Sequence, residues 1–302
     1  MRRQLVVAVG IAVAIMVGIG GIILGAQHGV FGARDRQLLN TAARAVEQQR
    51  PEDARAALEE LIEVFPDSPL ADDALLRLGE LHAAQHAYVE SSAMYTMLLE
   101  RFPASALASQ AQERLGHINV AILFSPTVTQ ADAVYEVLPG DTLVEIAEAH
   151  RTTVDLIKQA NGITGDLIRP KQRLKIPQGE FEIVVDKSQK ELLLKKDGRF
   201  LKTYPIATGR DDSTPEGAFK IVNRIPNPVW YKQGAIVPPD SEENILGTRW
   251  LGFDKAGYGI HGTVDAAPIK EQATAGCVRM RNDDVEELFA IVPVGTDVTI
   301  IN

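Results

Sequence analysis

"FEIVVDKSQKELLLKKDGRFLKTYPIATG" (residues 181–209) alternates apolar and polar residues. Ile183 and Val185, then Leu192 and Leu194, then Phe200 recur at the spacing that puts side chains on one face of a strand. Asp197-Gly198 between the last two runs is a two-residue hairpin turn. The pattern continues downstream. Thr214-Pro215-Glu216-Gly217 is a turn, and "AFKIVNRI" (218–225) is a strand. The segment 226–240, with Pro226, Pro228, Pro238 and Pro239, reads as an irregular loop. "RWLGF" (249–253) and "YGIHGT" (258–263) follow as strands. "NDDVEELFAIV" (282–292) is one helix, capped by Asn282 or Asp283, and "TDVTII" (296–301) is a closing strand. Residues 180–302 are therefore a mostly β domain with a single helix near its end.

Upstream the chain is of different material, and the whole is multidomain. Its 302 residues allow about two domains, and 45% hydrophobic and 24% charged residues allow real cores. The net charge of −9, with no clustered Lys/Arg patch, argues against a nucleic-acid partner. Met1-Arg2-Arg3-Gln4 precedes an uncharged run of 22 residues, Leu5 to Ala26. About 20 apolar residues span a bilayer, and the leading arginines favour a cytoplasmic N-terminus. Residues 1–33 are accordingly expected to be a membrane anchor with the bulk of the chain outside the cytoplasm. A cleaved signal peptide, with a shorter apolar core, is the alternative. No cysteine lies near this run, which excludes a lipoprotein anchor.

Residues 34–123 are expected to form all-α helical repeats. Leu58, Leu61, Ile62 and Phe65 follow the i, i+3, i+4, i+7 pattern, and Tyr95, Leu98, Leu99 and Phe102 repeat it 37 residues later. Both sets end in Phe-Pro, and "DSPLADDALLRLG" (67–79) parallels "ASALASQAQERLG" (104–116), with Asp67, Ser68 or Ser105 as helix caps. The stretch resembles tetratricopeptide-like repeats of bacterial envelope proteins, which suggests a spacer or a docking surface for an envelope protein. His82, His86 and His117 lack acidic or cysteine neighbours at ligand spacing and are expected to be ordinary helix residues, not metal ligands.

"FSPTVTQADA" (124–133) reads as a linker, followed by a compact β-α-α-β unit over 134–178. A strand leads to a turn at Pro139-Gly140-Asp141, with Asp141 or Thr142 capping the first helix. Thr152 or Thr153 caps the second, which ends near Asn161-Gly162, and "LIRPKQRLKIP" closes the unit. Tyr135, Val137, Gly140-Asp141-Thr142-Leu143, Ile146-Ala147, Asn161 and Leu174-x-Ile176-Pro177 closely resemble a LysM domain, with Pro170-Lys171-Gln172 where that family usually has Pro-Gly-Gln. The resemblance implies binding of N-acetylglucosamine-containing glycans such as peptidoglycan. The implied contacts lie in the two strand–helix loops, at Gly140, Asp141, Thr142 and Asn161.

Cys277, in "ATAGCVRM" (273–280), is the only cysteine. A lone cysteine is usually a small buried hydrophobe. Here Gly276 precedes it, allowing a tight turn. Arg279 stands two residues on, where a strand directs it to the same side, and a nearby cation favours the thiolate. His261, 16 residues earlier and bordered by Gly259 and Gly262, is a candidate base. Cysteine and histidine together suffice for nucleophilic acyl transfer.

"GIHGT" and "TAGCVRM" at this spacing, with the Thr-Pro-Glu-Gly turn and "LGTRWLGF", resemble the L,D-transpeptidase (YkuD) catalytic domain over roughly Phe181 to Ile301. The resemblance makes Cys277 the nucleophile, His261 its base and the Gly262 carbonyl the group that orients the imidazole. It makes the Gly276 and Cys277 N–H groups oxyanion donors and Arg279 a fork for a substrate carboxylate. Thr274, where the family mostly has serine, and Thr263 join Arg279 as implied substrate-binding positions. Ala275 replaces a common His or Lys, and Pro268-Ile269-Lys270 replaces a frequent Ile-Gly step; both bear on substrate preference. The implied reaction is attack on the third residue of a tetrapeptide stem, loss of the terminal D-Ala, and transfer to a second stem's amine, giving a 3→3 crosslink without metal or cofactor. Water as acceptor would make an L,D-carboxypeptidase. A non-catalytic peptidoglycan-binding scaffold is the competing class.

Overall fold

The computed structural model describes residues 28–302 apart from 233, 240, 266, 272 and 273. The apolar run 5–26 lies outside the described residues, and no described helix is long and apolar enough to cross a membrane. Five helices come first: α1 (His28–Glu47), α2 (Pro51–Val64), α3 (Ala71–Ala84), α4 (Tyr88–Arg101) and α5 (Ala108–Leu123). Phe65 and Phe102 are the C-caps of α2 and α4, as the Phe-Pro steps predict. The two serines do not cap in the expected way, because α3 and α5 have no side-chain cap bond. Ser68 Oγ instead accepts from the Leu70 N–H and donates to Asp35 of α1. Ser105 does the same with Leu107 and Asp72 of α3. The 37-residue repeat is thus a repeated Ser–Asp tie between successive hairpins.

The small unit follows: β1 (Asp132–Glu136), α6 (Leu143–Ala149), α7 (Val154–Asn161) and β2 (Arg173–Pro177), with β1 and β2 antiparallel. Thr142 forms a capping box with Glu145, Thr153 accepts from Leu156 N–H, and α7 ends on Gly162 at φ +62°. These are the local rules the sequence follows.

In the C-terminal domain, β3 (Phe181–Asp186), β4 (Glu191–Lys196), β5 (Arg199–Pro205), β6 (Gly217–Pro226), β9 (Arg249–Phe253), β10 (Gly259–His261), β11 (Val278–Arg279) and β12 (Asp297–Ile301) form one sheet in the order β11-β10-β9-β6-β12-β3-β4-β5. Its two ends meet. Ala207, just past β5, exchanges both backbone hydrogen bonds with Arg279 of β11. The helix α8 (Asn282–Ile291) packs Val285, Leu288 and Ile291 into the core with Leu251, Ile260 and Val278. Residues 226–240 are not wholly irregular: β7 (Trp230–Lys232) pairs with β8 (Ala235–Val237). Strands of three residues with Tyr231 and Ile236 exposed show no alternation to detect. What holds their base is Asn244, fully buried and donating to the Pro228 and Pro238 carbonyls.

Residues 124–131 are an irregular connection, as a linker is expected to be, but the modules on either side of it are packed together. Val120 and Leu123 of α5 and Leu156 of α7 belong to the same buried cluster as the C-terminal sheet. Lys175 of β2, fully buried, donates to the Ile122 and Ser125 carbonyls at 2.7 and 2.9 Å and lies 3.7 Å from Asp132. Arg224 of β6 stacks 4.1 Å from the Phe289 ring centroid and bonds Asp155 of α7. Helices α5 and α7 therefore lend side chains to the C-terminal interior, while the repeats and the small unit keep clusters of their own. Leu156→Ala is expected to cost about 2–5 kcal/mol, and the slowly exchanging amides of β9 and α8 should lose protection along with those of the small β-α-α-β unit; loss confined to residues 134–178 would contradict packing of α7 into the C-terminal core.

Candidate active site

Parallel pairing of β10 with β11 sets His261 opposite Arg279 and Ile260 opposite Val278. Ile260 and Val278 are fully buried in the core, so His261 and Arg279 point to the other face of the sheet. Cys277 immediately precedes β11, near enough to Arg279 for each to feel the other's charge. Trp250, opposite His261 on β9, stacks on the imidazole with centroids 6.0 Å apart. The place of Trp250 beside the imidazole depends on pairing across strands and is invisible along the chain.

His261 is 2% exposed, and its Nδ1 lies 2.7 Å from the Gly262 carbonyl oxygen. A carbonyl only accepts, so Nδ1 carries the proton and Nε2 is the basic nitrogen. Burial holds the imidazole pKa down to about 4, with Arg279 acting in the same direction against the Gly262 bond. The histidine is neutral at neutral pH. Burial likewise pushes the Cys277 thiol up, outweighing the Gly259 backbone and Arg279, which both pull it down. Arg279 favours the thiolate, as expected of a nearby cation, but desolvation exceeds its pull. Sγ, half-buried, donates to the Gly257 carbonyl at 3.6 Å. The resting pair is neutral thiol and neutral imidazole.

The loop that carries Cys277 is held by backbone contact. Gly276 has φ +130°, and a Cβ there would lie 2.9 Å from Tyr258 and 3.1 Å from the Ser213 carbonyl. Residues 207–210 run beside the loop, with Thr274 N–H donating to Thr208 and Arg210 N–H to Thr274. Thr214 of the Thr-Pro-Glu-Gly turn, 1% exposed, accepts from Gly209 N–H, while Lys187 ties the turn to Asp212 and Glu216.

Thr274 and Thr263 both hydrogen-bond within their own loops. Thr274 Oγ1 donates to the Cys277 carbonyl at 2.7 Å and accepts from Gly276 N–H at 3.1 Å. Thr274 braces its own loop, and its hydroxyl engages the Gly276 N–H that the resemblance gives to an oxyanion. Thr263 is likewise turned inward, with its hydroxyl accepting from Asp265 N–H. Arg279 is half-buried and feels the charges of Asp265, Cys277 and Arg210.

In the small unit the four implied glycan contacts have internal tasks. Gly140 turns the chain at φ +96°, and Asp141 accepts from Leu138 N–H and the Tyr135 hydroxyl. Thr142 caps α6. Asn161 spends its amide on the Lys175 N–H and carbonyl and on the Ile157 carbonyl. Asn161 thereby ties the end of α7 to β2. The two loops do lie side by side, with Val137 bonded to both Lys171 and Gln172, and they expose Leu138 and Leu167.

Comparison with known proteins agrees with this division. The L,D-transpeptidase catalytic domain (YkuD) matches residues 180–300, the LysM domain 135–177, and a tetratricopeptide repeat 38–68. The putative L,D-transpeptidase YkuD of Bacillus licheniformis is 40% identical over 174 residues, 55% of this chain and 97% of that protein. The putative L,D-transpeptidase YkuD of Bacillus subtilis is 38% identical over 173 residues, again 55% of this chain and 97% of that protein. The probable L,D-transpeptidase ErfK/SrfK of Salmonella typhimurium is 32% identical over 180 residues, 54% of this chain and 57% of that protein. With near-full-length relatives at this identity, and with Cys277 and His261 inside the matched region, the chain belongs to the L,D-transpeptidase family.

Proposed function

We propose that the protein is a cysteine-dependent peptidoglycan L,D-transpeptidase with His261 as general base. The observation that carries this reading is the tautomer. A neutral imidazole, its Nδ1–H bound by Gly262, leaves Nε2 basic, and Arg279, opposite His261, is near enough to Cys277 for each to feel the other's charge. The thiol proton passes to Nε2 as Sγ bonds the carbonyl carbon of the third stem residue. The tetrahedral intermediate collapses, the C–N bond to the terminal D-Ala breaks, and the Nε2 proton goes to the departing amine. A second stem's amine then attacks the thioester, returns its proton through Nε2, and releases Cys277, leaving a 3→3 crosslink. Arg279 holds a stem carboxylate. Because the Gly276 N–H is engaged, the Cys277 N–H is the oxyanion donor that the loop itself supplies.

The LysM unit supports peptidoglycan as partner, with exposed Leu138 and Leu167 as glycan contacts beside the turn at Gly140. The apolar run 5–26 behind two arginines supports a cytoplasmic-membrane anchor with the rest in the periplasm, and the helical repeats are the surface for an envelope protein. Intact-mass and muropeptide analysis of the full chain with a tetrapeptide muropeptide tests the reading. An acyl adduct and a 3→3 dimer are expected. A tripeptide alone makes the acceptor water, and neither product, from folded protein that still binds peptidoglycan, leaves a wall-binding scaffold.

A further inference from the structure

Asn282 stands where a helix cap is expected, yet α8 has no side-chain cap bond. Its side chain reaches backwards instead. Oδ1 accepts from the Thr263 N–H at 3.1 Å and from the Thr248 N–H at 3.2 Å. Two glycines make room for that oxygen. A Cβ on Gly262 or on Gly247 would fall on Oδ1, and Gly247 sits at φ +64° besides.

The Thr263 N–H and the Gly262 C=O are the two ends of one peptide unit. That unit is planar, so holding its N–H end aims its carbonyl end. The carbonyl is the group that takes the His261 Nδ1 proton at 2.7 Å. A hydrogen bond at the N–H also polarises the carbonyl into a better acceptor. We infer that Asn282 is a positioning residue for the base: by holding the Gly262–Thr263 peptide, it keeps the carbonyl on Nδ1 and so keeps Nε2 free of its proton. This rests on the reading of His261 as the base of Cys277. The side chain reaches the reaction only through the peptide, so it touches no substrate.

The alternative is a staple, since the same oxygen ties α8 to the chain just before β9. The two roles separate in the full chain by combining rate with tautomer. Asn282→Ala is expected to slow acylation by a carbapenem about 10- to 100-fold, as loss of partners that orient an imidazole does in metal sites. The carbapenem concentration giving half-saturation should not move. Nitrogen-15 spectra of labelled histidine should show the His261 Nε2–H tautomer appearing in this variant. Asn282→Asp keeps an acceptor oxygen at the same place and should restore the Nδ1–H tautomer and most of the rate, with the acid limb of the pH profile moved upward by the added negative charge. An Asn282→Ala protein with a wild-type tautomer overturns the inference, whether its rate is unchanged or falls only with its melting temperature. If wild type itself takes no acyl group, the proposed function fails, while the tautomer still decides Asn282.

Discussion

Cys277→Ala is expected to abolish covalent acylation outright, and His261→Gln to slow it by roughly 10²- to 10⁴-fold, the usual contribution of a general base. Glutamine preserves most of the imidazole's volume beside Trp250 but offers no basic nitrogen, so the loss reports chemistry more than packing. The pH dependence distinguishes this site from a preformed ion pair. Because the buried imidazole has its pKa lowered to about 4, the acid limb of kcat/KM is expected near pH 4, with no inflection near 6.5. A limb near 6.5 would mean that the imidazole is solvated in the working enzyme. The same shift has a consequence for stability. Above pH 6.5 neither state protonates His261. Between about 6.5 and 4 the unfolded chain takes up a proton that the folded protein refuses, so stability falls as pH falls, by about 3 kcal/mol when complete. In His261→Gln that part of the slope disappears, which denaturant titrations at pH 4.5 and 7 would reveal.

The reach of the sequence is clearest where chemistry follows short spacing. Cys277 and Arg279 at i, i+2 lie near enough to feel each other's charge, and glycines around His261 and Cys277 mark close backbone approach. Thr142, Thr153 and Gly162 obey local capping rules and stand where those rules put them. What depended on neighbours in space was hidden. Phe200 was assigned to the core face of its strand. An irregularity in the pairing at Leu194/Lys195 turns Leu201 and Tyr204 inward instead, and Phe200 packs on the helical repeats. The Thr274 hydroxyl, three residues from Cys277, closes on its own loop, a bond that residue type alone does not announce. Asn282 looked like a cap because it opens a helix, and only the fold brings Gly247 and Gly262 around its oxygen. The segment 124–133 looked like a linker because Pro, Ser and Thr carry no periodicity. Its anchoring comes from Lys175, about 50 residues later.

Gly276→Ala is the second large effect, and it tests the loop apart from the reacting groups. At φ +130° an L side chain is strained in any surroundings, at a cost of about 1–3 kcal/mol. The added methyl would also lie 2.9 Å from the Tyr258 ring and 3.1 Å from the Ser213 carbonyl. Tyr258 can swing, but the Ser213 backbone is held by the turn that Thr214 and Lys187 fix, and Gly276 is backed by Gly209. The loop must therefore move rather than its neighbours. Its movement breaks the Thr274 brace and carries the Cys277 N–H away from where an oxyanion forms. Removing one such donor costs about 10²- to 10³-fold, so acylation is expected to fall at least that far, with a drop of several degrees in Tm. Thr274→Val, which deletes the brace while leaving Gly276 free to turn, should cost less on both counts. If Gly276→Ala instead acylates at the wild-type rate, the loop geometry is not what positions the nucleophile, and the rigid frame built by residues 207–214 serves stability alone.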